Sequence, residues 1–328
     1  MSWDEFCSVA VYTRMQGIEL YDIHSPVFRG KGSPTNPERA ASVRRHLIAD
    51  HLQLPCINTV KDFTSPDFIR EFTECLTVAV NLGISCIGIH TSESDAEKCV
   101  EPLGILLDIV GEKPVTVLVE TADAYADTSR LRDLLNRFSD DRLAALWDMH
   151  TTVFEGGESA ETTITNLGAY VKHVHIHDCR QEDGKIIPEL IGEGQLPLQD
   201  LMDALRSVNY DGYVSLEWDP NWMEGLEDIE IILTHYENGM RPFENTKRGK
   251  RHLYWSNRHV GRYVWKKGDL IDKTFPQVLD TMVEEFPDQT AIRFTTLDYT
   301  RTYSQFRDDV DEFARALVSL GVKAGYHV

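Results

Sequence analysis

Residues 115–148 read VTVLVETADAYADTSRLRDLLNRFSDDRLAALWD, and the way this stretch divides decides the fold. Val115–Thr121 and Leu143–Asp148 are short runs that stay almost wholly apolar until their last residue or two. Between them, Asp127–Phe138 carries a helical pattern. Strands apolar on both faces belong to parallel sheets covered by helices, and parallel neighbours need a helical crossover between them. The stretch is therefore a strand–helix–strand unit. Further strands are expected at Gly17–Ile23 (GIELYDI), Leu54–Val60, Cys86–His90 (CIGIH), Val171–Asp178 (VKHVHIHD) and Tyr213–Trp218 (YVSLEW). Helical patterns separate them, among them Pro66–Leu82, Asp95–Val110 and Leu198–Val208. Seven strands in this alternation predict an α/β chain with a (β/α)8 TIM-type barrel. The chain opens on a helix-like segment, Trp3–Arg14, so the barrel's first strand is the one expected to be missing.

The 328 residues exceed one average domain, and the sequence changes character after Phe243. Residues 1–243 are expected to be the barrel. Residues 244–268 form a basic linker holding Lys247, Arg248, Lys250, Arg251, Arg258, Arg262, Lys266 and Lys267, with Trp255 and Trp265 among them. Residues 269–328 begin a new α/β pattern. Helices are expected at Phe275–Phe286 and from Ser304 onward, with strands at Thr290–Phe294 and Thr300–Tyr303 between them. So short a segment cannot build a full α/β core.

The formal net charge is −20, with 33 Lys+Arg against 53 Asp+Glu. Because the linker is basic, the acidity concentrates on the barrel, which argues against nucleic acid as its partner. No apolar run approaches the roughly 20 residues of a membrane span, and the N-terminus has no secretion signal. Six cysteines without CxxC spacing fit reduced thiols in a cytoplasmic protein.

Four strands end in residues that packing does not call for. Glu120 closes VTVLVE, Asp148 closes ALWD, His175 lies in HVHIHD, and Glu217 closes VSLE. In an α/β barrel the C-terminal strand ends form the mouth where active sites lie. Three carboxylates gathered there repel one another unless a cation joins them. With one imidazole they make an oxygen and nitrogen donor set suited to one divalent metal: Mn²⁺, Mg²⁺, Co²⁺ or Zn²⁺. His90, His150 and Arg180 are the candidates for contacting a substrate. His173, His175 and His177 alternate along one strand and share a face, so two of the three are expected to support the ligand or the structure.

The segments GIELYDIH, VLVET, ALWDMHTT, VKHVHIHD, IGEGQLPL and DGYVSLEW resemble the xylose isomerase-like sugar phosphate isomerase/epimerase barrels over about residues 3–243. That family includes ketose 3-epimerases, hydroxypyruvate isomerases and inosose dehydratases. The resemblance implies a metal held by Glu120, Asp148, His175 and Glu217, with Glu120 and Glu217 also moving a proton next to the carbonyl of a small carbohydrate or cyclitol. One position departs from the pattern. Family members commonly place a substrate-contacting His three residues after the Asp; here Thr151 stands there, with His150 one residue earlier. Residues 269–328, with Phe286-Pro287-Asp288, Ala291-Ile292, Thr302-Tyr303-Ser304 and Gly321-Val322, resemble the start of an AMP-forming acyl-CoA synthetase. That superfamily's phosphate loop, adenine site and catalytic lysine lie beyond this region, so no adenylating activity is expected.

Two alternatives stand beside an isomerase or epimerase. An apurinic endonuclease-like phosphodiesterase needs a three-metal cluster with more His ligands and a basic groove, which an acidic barrel does not offer. A catalytically idle barrel would serve as an accessory or docking module of the adenylating domain; Thr151 and the missing strand favour it. The sequence leaves room for a homo-oligomer.

Overall fold

A computed structural model describes residues 2–28, 33–182, 184–218, 228–244, 274–294 and 299–323. The basic linker beyond residue 244 lies outside the described residues. The chain divides into two compact units, Met1–Arg251 and His252–Val328.

The first unit begins with α1 (Trp3–Tyr12), β1 (Leu20–Tyr21), α2 (Ala40–Ala49), β2 (Cys56–Asp62), α3 (Phe68–Leu82), β3 (Cys86–His90) and α4 (Ala96–Val110). It continues with β4 (Thr116–Glu120), α5 (Thr128–Leu135), β5 (Leu143–Asp148), α6 (Ala160–Leu167) and β6 (Val171–Ile176). A hairpin follows, β7 (Asp178–Glu182) and β8 (Lys185–Glu189), then α7 (Leu198–Ser207), β9 (Val214–Leu216) and α8 (Ile229–Glu244). Side chains start several helices where backbone N–H groups would otherwise go unpaired. Asp95 accepts from the Glu97 amide, Asp127 from that of Ser129, and Ser159 from that of Thr162.

One seven-stranded sheet runs β1-β2-β3-β4-β5-β6-β9, parallel throughout. These are the seven strands expected from sequence, in a TIM-barrel-like α/β fold. Four are shorter than expected: β4 loses one residue at each end, β9 one at its start and two at its end, and β1 and β6 are cut for identifiable reasons. β1 keeps two residues because Asp22 turns the backbone to φ 50°, while Gly17 contributes only an isolated bridge to Gln53. β6 ends at Ile176, and Asp178 opens the β7–β8 hairpin instead. Among the described residues no ladder joins β9 back to β1. The two edges meet through a side chain: Tyr213 donates from its hydroxyl to Gln53 Oε1 at 2.8 Å, and its ring lies 3.2 Å from where a Cβ on Gly17 would stand.

Strand alternation sorts residues into two layers. Ile57, Val117, Val119, Ala145, Trp147, Val174 and Ile176 pack outward into the main core with the helices. Cys56, Leu118, Ala144 and Leu146 form a separate inner cluster. The inner parity then runs on to Glu120 and Asp148 at the upper ends of β4 and β5. Small, tight packing inside and a large apolar jacket outside leave the upper mouth for polar groups.

The second unit comprises α9 (Phe275–Glu285), β10 (Thr290–Phe294), β11 (Tyr299–Thr302) and α10 (Tyr303–Ser319). Strands β10 and β11 pair antiparallel. Capping boxes start both helices, Thr274 with Gln277 and Thr302 with Gln305. Arg307 of α10 donates to Asp280 of α9 at 2.6 Å. Phe313 and Val318 on α10 are exposed. No described helix is long and apolar enough to cross a membrane, and all six cysteines are free.

Candidate metal centre

The inner parity of four strands brings a polar cluster to the C-terminal end of the sheet. β4 supplies Glu120, β5 Asp148, β6 His175 with His173 below it, and the residues just after β6 and β9 supply His177 and Glu217. His175 Nδ1 lies 3.5 Å from Glu120 Oε1 and 3.9 Å from Glu217 Oε2. The same Glu217 oxygen stands 3.9 Å from His177 Nδ1. Ligand atoms of Glu120, His175 and Glu217 lie within 4.8 Å of one another, as do those of Asp148, His177 and Glu217.

The electrostatics of the cluster call for a positive charge. Asp148 is 3% exposed, and its carboxyl is pushed well above its ordinary value by burial, then by Glu217 and Glu120. Burial alone would lower His175, but Glu19, Glu120 and Glu217 hold its imidazole well above the usual range. Its Nδ1 is buried and makes no hydrogen bond, and it faces two carboxylates across gaps too wide for good hydrogen bonds. Such an orphaned nitrogen among oxygens fits a divalent cation at about 2.0–2.5 Å from each donor.

Other candidate residues fall into distinct environments. His150 stacks on His177 with ring centroids 3.8 Å apart and planes at 25°, and it also approaches Phe154 at 4.9 Å. Its backbone N–H donates to Asp148 Oδ1 at 2.7 Å, and that of Thr151 donates to the same oxygen at 3.2 Å. The Thr151 hydroxyl donates to the carbonyls of Thr121 and Asp148, so this side chain serves the backbone turn. His90 closes β3 half-buried, and among the described residues its imidazole makes no hydrogen bond or ion pair. Arg180 lies on the β7–β8 hairpin, where it pairs with Glu189 at 2.6 Å and Glu182 at 3.1 Å. Its guanidinium is thus engaged by carboxylates of its own hairpin.

Burial pushes His150 down to about 4 and His177 down to about 3. Both are neutral in the folded chain near pH 5, while unfolded histidine titrates near 6.5. The unfolded state then binds more protons, so their contribution to stability is full above pH 6.5 and is lost as the pH falls below it. The drop in urea midpoint from pH 7 to pH 5 is expected to be smaller in His150→Phe than in the unsubstituted protein. An equal drop in both would contradict the assignment.

One residue of the cluster escapes a search of strand ends. Glu19, just before β1, accepts from His175 Nε2 at 2.9 Å, from His173 Nε2, and from Asn58 Nδ2 at 2.6 Å. Its burial is outweighed by the two imidazoles, which hold the carboxyl well below the ordinary value. The signal for it was present: Glu19 is an acid in the otherwise apolar run GIEL, on the inner parity of its strand.

Residues 14–235 match the family model described as the xylose isomerase-like TIM barrel. A Streptomyces coelicolor protein named "Putative hydroxypyruvate isomerase" is 28% identical over 167 residues, 47% of this chain and 56% of the relative. The chain thus spans little more than half the length of that relative. Two solved structures share the fold. The IOLI protein with a binding zinc atom superposes with a TM-score of 0.63 at 15% identity, covering 75% of this chain and 94% of its own. The D-allulose 3-epimerase from Methylomonas sp. in complex with D-allulose has a TM-score of 0.56 at 14% identity, covering 72% and 89%. With the family model spanning well over half of its residues, the chain belongs to the xylose isomerase-like TIM barrel family.

Proposed function

We propose that the barrel is a divalent-metal-dependent isomerase or epimerase that moves a proton at the carbon beside the carbonyl of a small sugar or cyclitol. The reading of Glu120, Asp148, His175 and Glu217 as its ligands is supported by two sets of close ligand atoms that share Glu217, one completed by Glu120 and His175 and the other by Asp148 and His177. A divalent cation held by these four residues would polarise the carbonyl and hydroxyl oxygens of the substrate and acidify the neighbouring C–H. Glu120 and Glu217 approach from β4 and β9, three places apart in the sheet, so a flat substrate between them meets a carboxylate on either side. One removes the proton and the other returns it, the pairing that isomerisation and epimerisation need. On this reading His90, whose imidazole is uncommitted among the described residues, and His150, stacked on His177, would contact substrate hydroxyls. The names of the hydroxypyruvate isomerase and D-allulose 3-epimerase relatives support the reaction class, and the zinc in the IOLI protein supports a divalent metal.

For residues 269–328 the resemblance to the opening of an AMP-forming adenylating domain remains the proposal. Its support is the sequence landmarks and the helix–hairpin–helix order of α9, β10–β11 and α10. On this proposal the segment has no activity of its own.

Solvent exchange tests the barrel assignment. The protein is loaded in turn with Mn²⁺, Mg²⁺, Co²⁺ or Zn²⁺ in D₂O and given ketoses, inososes and hydroxypyruvate. Deuterium is expected at the carbon beside the carbonyl of at least one substrate, abolished by chelation and restored by metal. Absence of exchange across the panel from a protein shown to hold its metal would overturn the proposal.

A further inference from the structure

We infer that Glu19 is a positioning residue of the metal centre: it holds the Nε2–H of His175 so that, once a divalent cation displaces the proton on the other nitrogen, Nδ1 would present its lone pair to the cation that Glu120 and Glu217 also hold. This rests on the metal proposed above. A neutral imidazole carries its proton on one nitrogen and its lone pair on the other, and a hydrogen bond at one nitrogen decides which. Here the carboxylate sits at Nε2, 2.9 Å away, while Nδ1 is buried without a hydrogen-bond partner and aimed at two carboxylates. Metal-bound histidines almost always donate their other N–H to a carboxylate or carbonyl, which fixes the ring and makes it a better ligand.

Glu19 is itself braced. Its first oxygen accepts from His173, which also lies 3.2 Å from the Ser215 hydroxyl; its second is shared by His175 and Asn58. Asn58 in turn occupies space that only glycine at position 88 leaves open, since a Cβ there would lie 2.1 Å from Asn58 Oδ1. A line of contacts thus runs from β3 through β2 and β1 to the ligand on β6. It also gives His173 a definite part, which is to fix the other half of the Glu19 carboxylate.

Glu19→Gln tests the inference, because the amide keeps the shape of the side chain but cannot accept from both imidazoles. Affinity for Zn²⁺, measured by chelator competition, is expected to fall roughly 10–100-fold. In ¹⁵N-labelled, Zn²⁺-loaded protein, the His175 Nε2–H resonance should be downfield and slow to exchange, and the variant should lose it. Equal affinity and an unchanged resonance would overturn the inference while leaving the metal site standing. If the unsubstituted protein binds no divalent ion, the metal proposal fails and this one with it. Should Glu19→Gln not fold, Asn58→Ala removes the brace alone. A loss of a few-fold in Zn²⁺ affinity then supports the role, and no loss overturns it.

Discussion

Glu217→Gln is expected to slow substrate C–H exchange by roughly 10²–10⁴-fold, the usual contribution of a positioned acid–base group. That corresponds to about 3–5 kcal/mol of transition-state stabilisation. Glu217 belongs both to the set with Glu120 and His175 and to the set with Asp148 and His177, and it stands just after β9 with one oxygen 3.9 Å from the Nδ1 of both histidines. Glutamine fills the same space yet can neither take a proton nor supply negative charge. It also removes the largest charge raising the Asp148 carboxyl, so Asp148 should titrate closer to the ordinary range in the variant. Glu120→Gln should be comparably damaging, and the double variant little worse than either single one, because residues acting on one proton do not contribute additively. The check is the exchange rate of metal-loaded protein with the best substrate from the panel. A Glu217→Gln rate within tenfold of the unsubstituted protein would remove Glu217 from proton transfer.

Much of this site could be read from the chain because two periodicities reinforce each other there. Parallel strands place all their C-terminal ends on one rim, and alternation decides which residues near that rim turn inward. Glu120, Asp148, His175 and Glu217 satisfy both conditions; ligand atoms of Glu120, His175 and Glu217 lie within 4.8 Å of one another, while Asp148 falls in a second set with His177 and Glu217. Glu19 satisfies alternation but lies one layer below the rim, where strand-end logic does not look. Thr151 shows the opposite limit. Its hydroxyl is committed to the Thr121 and Asp148 carbonyls, a contact fixed by the π-helical turn Thr151–Glu155 and not by sequence spacing. The β7–β8 hairpin is masked in the sequence because RQEDGKIIPE is polar at its centre and carries Pro188, which strands admit only at edges. Asp183-Gly184 was nonetheless a hairpin signal between two pairing runs. The consequence falls on Arg180, which the hairpin pairs with Glu182 and Glu189.

Gly194→Ala is expected to destabilise the barrel by about 3–5 kcal/mol, a size seen when a buried polar network is broken. At the start of the hairpin, Asp178 is 1% exposed and its carboxylate accepts four backbone N–H groups. One oxygen takes those of Cys179 at 2.8 Å and Leu196 at 2.9 Å; the other takes Gly192 at 2.9 Å and Gly194 at 3.0 Å. The IGEGQL segment therefore wraps around one side chain, and each amide left unpaired in the interior would cost about 1–3 kcal/mol. A Cβ at position 194 would lie 2.2 Å from Asp178 Oδ1 and 2.5 Å from the Cys179 carbonyl. Neither can retreat, because Oδ1 belongs to a carboxylate held by four donors and the Cys179 carbonyl accepts from the Gln195 amide at 2.7 Å. Asp178→Asn should be comparably damaging, since its carbonyl oxygen serves two of the four amides while its NH2 faces the other two, which are left without an acceptor. For a unit of this size the glycine substitution should lower Tm by on the order of 10 °C. Because Asp178 directly follows His177 and lies three residues after His175, loosening this clamp should also weaken Zn²⁺ binding, although neither substitution touches a ligand. A Gly194→Ala protein with Tm within 2 °C of the unsubstituted one would show that the segment can shift aside, and the mouth would then owe its shape to the strands alone.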